Sequence, residues 1–320
     1  EVLVSGYTFV ASISAIVAVG GMPVLTEIDE SITMDPVDIE RKITKRTKVI
    51  MPVHMLGYPC NMDKIMKIAN KYKLLVLEDS CQALGASYKG EKLGSIGDMG
   101  TFSLNVNKTI SSGDGGLITT NKKELYEKAF GFHDQGHMPL RMGVEIGKRK
   151  LIGINLRMNE LTGAFALGQL KKLDLILKLL KEKKKKFKSV IIEGGIKNIT
   201  FNKINDPGEC NTILTILFKD KIIAQHVAKA LKTKTISESG WHVYNNMEQI
   251  LSYIDQKGNK PFKKNMLPKT DEILTRSINL SIGVVDPGIG ADFGINILSS
   301  NEEIYKKAEE FIKIVKPIVD

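Results

Sequence analysis

The sequence contains few of the residues that build disulfide frameworks or disordered regions. Its 320 residues include 3 cysteines, 10 prolines and 1 tryptophan. The cysteines, Cys60, Cys81 and Cys210, are too few and too scattered for a disulfide framework or a four-ligand zinc site, which is typical of a reducing compartment. We therefore expect a cytoplasmic protein. A hydrophobic share of 42% excludes a disordered chain, and the length suits one large domain and one small one.

Charge is absent from one stretch, Val2 to Thr26, which is long enough to cross a bilayer. Serines, threonines, a Gly-Gly pair and a proline interrupt it, and no basic segment precedes it as in a signal peptide. We expect a strand, a helix near 10–19 and a strand near 22–28 within a large core, and no membrane partner. A cleavable signal or a membrane span is the alternative interpretation.

Positive charge is in excess, with a formal net charge of +10, but much of the excess lies in one run, "KLLKEKKKKFKS" (178–189). The run ends a helical pattern and carries almost no interleaved aromatic residues. It is more typical of a solvated helix face than of a nucleic-acid patch. We therefore expect no nucleic-acid partner.

The first half alternates between strand and helix patterns. Apolar runs at 47–53 and 74–79 flank a helical pattern at 61–73, with Asn61 as its N-cap. Such a βαβ unit requires parallel strands covered on both faces, so we expect an α/β fold with a mostly parallel central sheet. The same patterns predict strands at 99–104 and 116–120, and helices near 36–44 and 122–132.

The second half has a different pattern. A long helix is predicted to start near Met158 and to continue into the lysine run. Beyond it, apolar runs at 211–220 and 276–284 and a helix near 221–232 indicate a smaller mixed α/β domain. We expect a large domain at 1–180 and a small C-terminal domain at 181–320, with the boundary within 170–190.

Two adjacent carboxylates, Glu78 and Asp79, end the apolar run at 74–79. Ligands of open parallel sheets bind outside the carboxyl ends of the strands, so Asp79 stands where a ligand would lie. The alternative is that both side chains cap the next turn.

Lys108 follows another predicted strand and precedes a glycine-rich loop, "SSGDGG". A lysine in a loop is usually a solvated cation, but a neutral lysine amine condenses with aldehydes. With Asp79 it forms the pair that pyridoxal phosphate (PLP) requires. The amine holds the aldehyde, and the carboxylate keeps the pyridine nitrogen protonated so that the ring acts as an electron sink.

Five ordered blocks resemble the DegT/DnrJ/EryC1/StrS sugar aminotransferases, which have fold type I of the PLP enzymes. The blocks are "YTFVAS", "PVHMLGYPCNMDKIMKIANKY", "LEDSCQALGASYKGEKLGSIGDMGTFS", "GDGGLITTN" and "GINLRMNELTGA". The resemblance is strong over residues 1–180 and weak afterwards. It implies a PLP-dependent transferase fold, similar to that of aspartate aminotransferase.

The resemblance also implies roles for individual residues. Lys108 matches the Schiff-base lysine and Asp79 the partner of the pyridine nitrogen. Gln82 matches a glutamine near the phenolic oxygen of the cofactor, and Ser103 matches a phosphate ligand. Phe9 matches a position at which an aromatic ring stacks on the pyridine. Asn155 matches an asparagine that, in the family, the neighbouring subunit supplies to the phosphate. The site is therefore expected to need a homodimer with shared active sites.

The activity implied is ping-pong transamination from an amino acid, such as glutamate, to a keto group of a sugar or sugar-like molecule. A PLP-dependent dehydratase or cyclase on the same fold is one alternative, and a non-catalytic regulator that retains the fold is another. No metal is expected. A substrate role for His54, His133 or His137 is less expected than a structural one.

Two departures from the family pattern accompany this resemblance. The family has a further segment before "YTF", with a turn that binds the PLP phosphate, so we expect these 320 residues to belong to a longer polypeptide. In addition, "SGWHVYNNMEQIL" and "VVDPGIGADFGINILSS" do not follow the common consensus. Because that region helps to form the substrate pocket, a typical nucleotide-sugar substrate is not assumed.

Overall fold

The computed structural model describes residues 1–139, 149, 151–283 and 289–320. The strands are β1 (Val2–Ser5), β2 (Pro23–Thr26), β3 (Val49–Met51), β4 (Leu75–Asp79), β5 (Ser87–Tyr88), β6 (Glu91–Lys92), β7 (Met99–Ser103), β8 (Gly116–Thr119), β9 (Ile199–Phe201), β10 (Ile213–Phe218) and β11 (Ser277–Ser281). The helices are α1 (Val10–Ala18), α2 (Pro36–Lys42), α3 (Met62–Tyr72), α4 (Lys123–His133), α5 (Glu160–Leu170), α6 (Leu173–Glu193), α7 (Lys221–Ala230), α8 (Glu248–Leu251), α9 (Pro268–Thr275) and α10 (Asn301–Val319).

The central sheet has the strand order β2-β1-β3-β4-β7-β8. All neighbours in it are parallel except β7 and β8, which are antiparallel. The predicted βαβ unit is confirmed: β3 and β4 pair in parallel, and the Asn61 side chain accepts the Lys64 N–H at the start of α3. The other strands and helices predicted in the first half are present, with ends shifted by a few residues.

The uncharged segment 2–26 forms β1, α1 and β2, as predicted. Parallel pairing of β1 with β2 places the helix across the sheet, where it buries Ser12, Ile13 and Ile16. No helix in the described part of the chain has the length and apolar character needed to span a membrane.

The order of the strands fixes where a ligand can bind. The chain leaves β1 for β2 on one side and then crosses to β3 on the other side of β1. Such a switch opens a crevice at the carboxyl ends of the strands. The residues that follow β1, including Phe9, and those that end β4, including Asp79, both lie at this edge.

The second sheet contains β11, β10 and β9 in antiparallel order. Helices α6, α7 and α10 pack on it around a core that includes Phe187, Ile216 and Phe311. The strands and the helix that were predicted for the small α/β domain are confirmed. The last residue of the predicted 276–284 run lies outside the described residues. The largest hydrophobic cluster joins Tyr7 and Ile13 to Tyr244 and Leu267, so the two parts of the chain share a core. The domain division at residue 180 stays a prediction.

The single long helix predicted from Met158 is wrong, because α5 and α6 are separate helices with a turn at Lys171 and Lys172. The two helices have different surroundings. Helix α6 buries Leu173, Leu180 and Phe187, among others, whereas α5 buries no residue. The bend lets α6 follow the core while α5 lies on the surface.

The lysine run is not a uniformly solvated face. The side chain of Lys184 is 6% exposed, and its Nζ lies 2.5 Å from the carboxylate of Glu209. Burial lowers the pKa of Lys184 although the Glu209 carboxylate opposes that shift. The buried pair ties α6 to the loop that precedes β10, so this lysine is structural.

Candidate active site

The neighbouring carboxylates of β4 point to opposite faces of the sheet, as successive residues of a strand must. Glu78 is fully buried, and its carboxylate accepts the N–H groups of Gly94, Ile96 and Gly97 at 2.6–2.8 Å. Gly100 on β7 is a glycine because a Cβ there would lie 2.2 Å from the carbonyl oxygen of Gly94. Glu78 therefore holds a tight turn against the sheet.

His54 completes the surroundings of Glu78. Its Nδ1 accepts the Cys60 N–H at 3.1 Å, which assigns the proton to Nε2, and Nε2 donates to Glu78 over 3.1 Å. Burial alone would raise the pKa of Glu78. The hydrogen bonds from His54, Gly97 and Gly94 outweigh burial and hold that pKa below its usual value. His54 has a structural role in this arrangement.

Asp79 lies half-buried on the other face, at the crevice. Its Oδ2 accepts the Ser12 hydroxyl at 2.7 Å, and its Oδ1 accepts the Cys81 N–H at 3.1 Å. The Ser12 hydroxyl also lies 2.7 Å from that of Thr8, which is four residues earlier and just before the start of α1. Sequence reasoning missed Ser12. The signal was the four-residue spacing of two hydroxyls across the start of a mostly apolar helix.

Lys108 reaches the same crevice from the loop after β7. Its Nζ lies 5.9 Å from the centroid of the Phe9 ring, and that ring is 36% exposed. Gln82 lines the cleft with Lys108, and its side-chain oxygen accepts the Leu56 N–H at 2.8 Å. The lining of this cleft is Leu56, Gln82, Asn107, Lys108, Thr109, Thr212, Ile213 and Ile289. Phe9 and Asp79 are not part of that lining; Phe9 borders it through Lys108, and Asp79 lies at the end of β4.

A segment from the second half closes one side of the cleft. The N–H groups of Thr8 and Val10 donate to the carbonyls of His242 and Trp241, at 2.9 and 3.0 Å. The buried His242 ring lies 5.3 Å from the Phe9 ring, and its Nε2 is 3.4 Å from the Gln82 amide nitrogen. Sequence reasoning noticed this segment as a departure from the family pattern in a region that helps to form the substrate pocket, and it assigned no role to Trp241 or His242.

The other two predicted site residues, Ser103 and Asn155, do not line this cleft either. Ser103 ends β7, where its hydroxyl accepts the Asn105 N–H at 3.3 Å and so supports the loop that carries Lys108. Asn155 is exposed; its side-chain oxygen accepts the Arg157 N–H, and its backbone pairs with Asp134. Their predicted phosphate contacts stay predictions.

Exposed apolar side chains are concentrated in α5 and in the segment just before it, which contains Asn155. Leu161 of α5 is 85% exposed, and Ile152 is 95% exposed. We call these residues the α5 face; its other exposed members are Ile154, Leu156, Phe165, Leu167 and Leu170, and Leu117 and Ile118 line a pocket together with Leu156. An apolar patch of this extent is typical of a protein–protein interface.

The cleft supplies an amine and a side-chain amide, and the residues beside it supply a carboxylate held by two donors and a partly exposed aromatic ring. Such a set suits a planar, aromatic aldehyde: the amine can bond to its carbonyl carbon, and the ring can rest on Phe9. The carboxylate can accept a proton-bearing ring nitrogen.

Comparison with known proteins agrees with this arrangement. A family model described as the DegT/DnrJ/EryC1/StrS aminotransferase family matches residues 1–285. GDP-perosamine synthase from Escherichia coli O157:H7 is 41% identical over 175 residues, which are 54% of this chain and 47% of that protein. L-glutamine:2-deoxy-scyllo-inosose aminotransferase from Streptoalloteichus tenebrarius is 38% identical over 183 residues, 54% of this chain and 43% of that protein. The chain thus spans about half the length of the curated relatives it matches.

A solved structure extends the likeness to the second half of the chain. The aminotransferase from Psychrobacter cryohalolentis superposes with a TM-score of 0.80 at 26% identity, covering 100% of this chain and 82% of that one. This likeness confirms the fold class predicted from the sequence.

Proposed function

Since the chain belongs to the DegT/DnrJ/EryC1/StrS aminotransferase family, we propose that it is a PLP-dependent aminotransferase. It moves an amino group from an amino acid, such as glutamate, to a keto group of a sugar or sugar-like small molecule. The observation that carries the proposal is the meeting of Lys108, Asp79, Phe9 and Gln82 at the carboxyl edge of a parallel sheet.

The residues of the cleft fit PLP. Lys108, Asp79, Phe9 and Gln82 would hold its aldehyde and ring, because Phe9 leaves one face open and Lys108 lies above it. We propose Ser103, and Asn155 from a second copy, as contacts to its phosphate. When bound, PLP supplies an electron sink that stabilises negative charge on the α-carbon of the amino donor.

Lys108 has two tasks in this proposal. Its amine would hold the cofactor through a bond to the aldehyde carbon, and it would give up that bond to an amino donor. Once released, the Lys108 amine can act as the general base that takes up and returns the proton of the donor's α-carbon.

Asp79 contributes electrostatically. Its carboxylate would keep a proton on the ring nitrogen of the cofactor, and this preorganised charge would stabilise the transition state. The two donors on Asp79 keep the carboxylate in place. Gln82, fixed by the Leu56 N–H and next to His242, orients the cofactor from its edge.

We propose a homodimer that shares its two sites. Asn155 lies outside the cleft of its own chain, within the α5 face. A closed two-fold dimer buries such a face on both chains at once. It would also carry Asn155 towards the site of the partner. The scattered thiols support a reducing compartment, and we propose the cytoplasm.

A dehydratase or cyclase on the same fold is not favoured, because the matching family model is described as an aminotransferase family. The acceptor class rests on relatives named for a nucleotide-linked sugar and for a cyclitol. A screen of nucleotide-linked keto sugars and keto-cyclitols against the pyridoxamine form would identify the acceptor.

Borohydride reduction of the PLP-loaded protein tests the proposal. We expect a stable adduct that mass spectrometry places on Lys108, and no adduct or transamination in Lys108→Ala. The sole tryptophan, Trp241, has its ring 6.5 Å from that of Phe9, so uptake of PLP should also quench its fluorescence.

Lys185→Ala, an exposed lysine of α6, is the matched control and should behave as wild type. An adduct on another lysine would overturn the assignment of Lys108. A protein that takes up no PLP would favour the non-catalytic regulator.

A further inference from the structure

Three side chains form a continuous hydrogen-bonded row behind the cleft. The hydroxyls of Thr8 and Ser12 lie 2.7 Å apart, and Ser12 donates to the Oδ2 of Asp79 at 2.7 Å. Thr8 is fully buried and Ser12 is 6% exposed. Helix α1 thus presents a polar group inward at a position where its neighbours Ile13 and Ile16 are apolar.

We propose that Ser12 is a positioning residue that holds the Asp79 carboxylate in the orientation that a protonated ring nitrogen requires. This inference rests on the proposed function and assigns a role to a residue of α1 that does not itself line the cleft.

The direction of the hydrogen bonds supports this role. The backbone N–H of Cys81 can only donate, so it requires Asp79 to be an acceptor. The Ser12 hydroxyl approaches the other oxygen and, by donating, makes that oxygen an acceptor as well. Hydrogen bonds donated to a carboxylate favour its charged form. With one donor on each oxygen, rotation of the carboxyl group would break both contacts.

In the proposed function, the groups that donate hydrogen bonds to Asp79 are electrically neutral. Burial and the adjacent Asp79 carboxylate raise the pKa of the Cys81 thiol, which therefore stays protonated and uncharged. Lys108 acts on the same region as a cation, but in the proposed function its amine is bonded to the cofactor. Ser12 and the Cys81 N–H then remain as the donors that fix Asp79.

The test uses PLP labelled with ¹⁵N in the ring and follows the chemical shift of the pyridine nitrogen across pH. In Ser12→Ala we expect the proton affinity of that nitrogen to fall about tenfold, the order of one hydrogen bond to a charged group. Ser12→Thr retains the hydroxyl and should restore most of the wild-type titration. Ser14→Ala is the matched control, because Ser14 lies on the exposed side of the same helix.

Thr8→Val is a second variant that leaves Ser12 and Asp79 in place. It removes the hydroxyl behind Ser12 and should shift the titration in the same direction by a smaller amount. Thermal unfolding of each variant separates a loss of folding from a shift at the ring nitrogen.

The outcomes separate the two proposals. A wild-type protein without an adduct on Lys108 would overturn the proposed function and this inference together. Normal labelling of Lys108 with identical titrations in Ser12→Ala, Thr8→Val and wild type would overturn the role of Ser12 alone.

Discussion

The two faces of β4 differ more than their adjacent carboxylates suggest. On one face, the Glu78 carboxylate has four hydrogen-bond donors, which are His54 Nε2 and the N–H groups of Gly94, Ile96 and Gly97, and the side chain is fully buried. On the other, Asp79 has two donors and opens onto a cleft. A closed cluster stabilises the fold, whereas an open one leaves capacity for a ligand.

This difference separates residues that stabilise the fold from residues that take part in the proposed reaction. Substitution at Glu78 should change stability and leave the chemistry of the loaded site intact. Substitution at Asp79 should do the reverse. The open site also draws on groups from elsewhere, and in our proposal one of them belongs to a second chain.

The largest expected effect tests whether each active site needs residues from two chains. Mixing inactive Lys108→Ala with inactive Asn155→Ala should restore activity, because one site of each heterodimer draws both intact residues from different chains. Random exchange makes half of the dimers heterodimers, so about a quarter of wild-type activity should return. The assay is transamination after verified subunit exchange.

This test requires Asn155→Ala to be severely impaired by itself, which one lost phosphate contact achieves only if that contact is charge-assisted. Leu161→Asp, in the centre of the α5 face, is a companion variant that should shift the sedimentation profile towards monomer. An inactive Asn155→Ala that no mixture rescues would contradict shared sites.

Asp79→Asn should lower the rate of transamination by about 10²–10³-fold, the order seen when one preorganised electrostatic group is removed. Its unfolding free energy should stay close to that of wild type, because Asp79 is half-buried and ends its strand. The control is Asp63→Asn, a surface carboxylate of α3. Near-normal turnover of Asp79→Asn would remove the electron-sink role.

Glu78→Gln should lower the unfolding free energy by about 3 kcal/mol, since breaking a buried hydrogen-bonded pair leaves His54 with a poorer partner. Urea denaturation measures the change, and Glu91→Gln, an exposed carboxylate of β6, is the matched control. The protein should still form the Lys108 adduct. A stable Glu78→Gln protein without that adduct would assign Glu78 to the chemistry instead.

The smallest expected effect is a pH dependence. Because the pKa of folded Glu78 lies below its usual value, the unfolded chain binds more protons between the two values. The stabilisation that ionised Glu78 gives to the folded protein is therefore fully present above the usual Glu pKa of 4.5. It is lost as the pH falls through the lower pKa of folded Glu78. Between neutral pH and about pH 3, unfolding free energy should fall less steeply in Glu78→Gln than in wild type.

Much of the fold was predictable from local pattern. The alternation of apolar runs and helical spacing located the central strands and the βαβ unit, because buried parallel strands need continuous apolar sequence. Asp79 and Lys108 could be proposed together because each lies at or beyond the end of a predicted strand, and parallel strands bring their carboxyl ends to one edge. Phe9 was proposed from the resemblance to the family.

Other features depend on contacts between distant residues and were missed. Nothing local distinguishes Lys184 from the other lysines of its run; only Glu209, on another element, explains its burial. The break between α5 and α6 follows from what each helix packs against, since helical spacing continues across it. Likewise, Ser12 is an ordinary helical serine until Asp79 is placed beside it.

The pairing of the Phe9 loop with Trp241 and His242 has a consequence for the order of folding. One side of the cleft is formed by the segment around Phe9. That segment is held by hydrogen bonds to the carbonyls of Trp241 and His242, more than 200 residues later in the sequence. During synthesis the first half can build its sheet early, but the cleft stays unfinished until the later segment emerges. Contacts of such long sequence separation also form slowly, so cofactor uptake should be among the last events in the maturation of the protein.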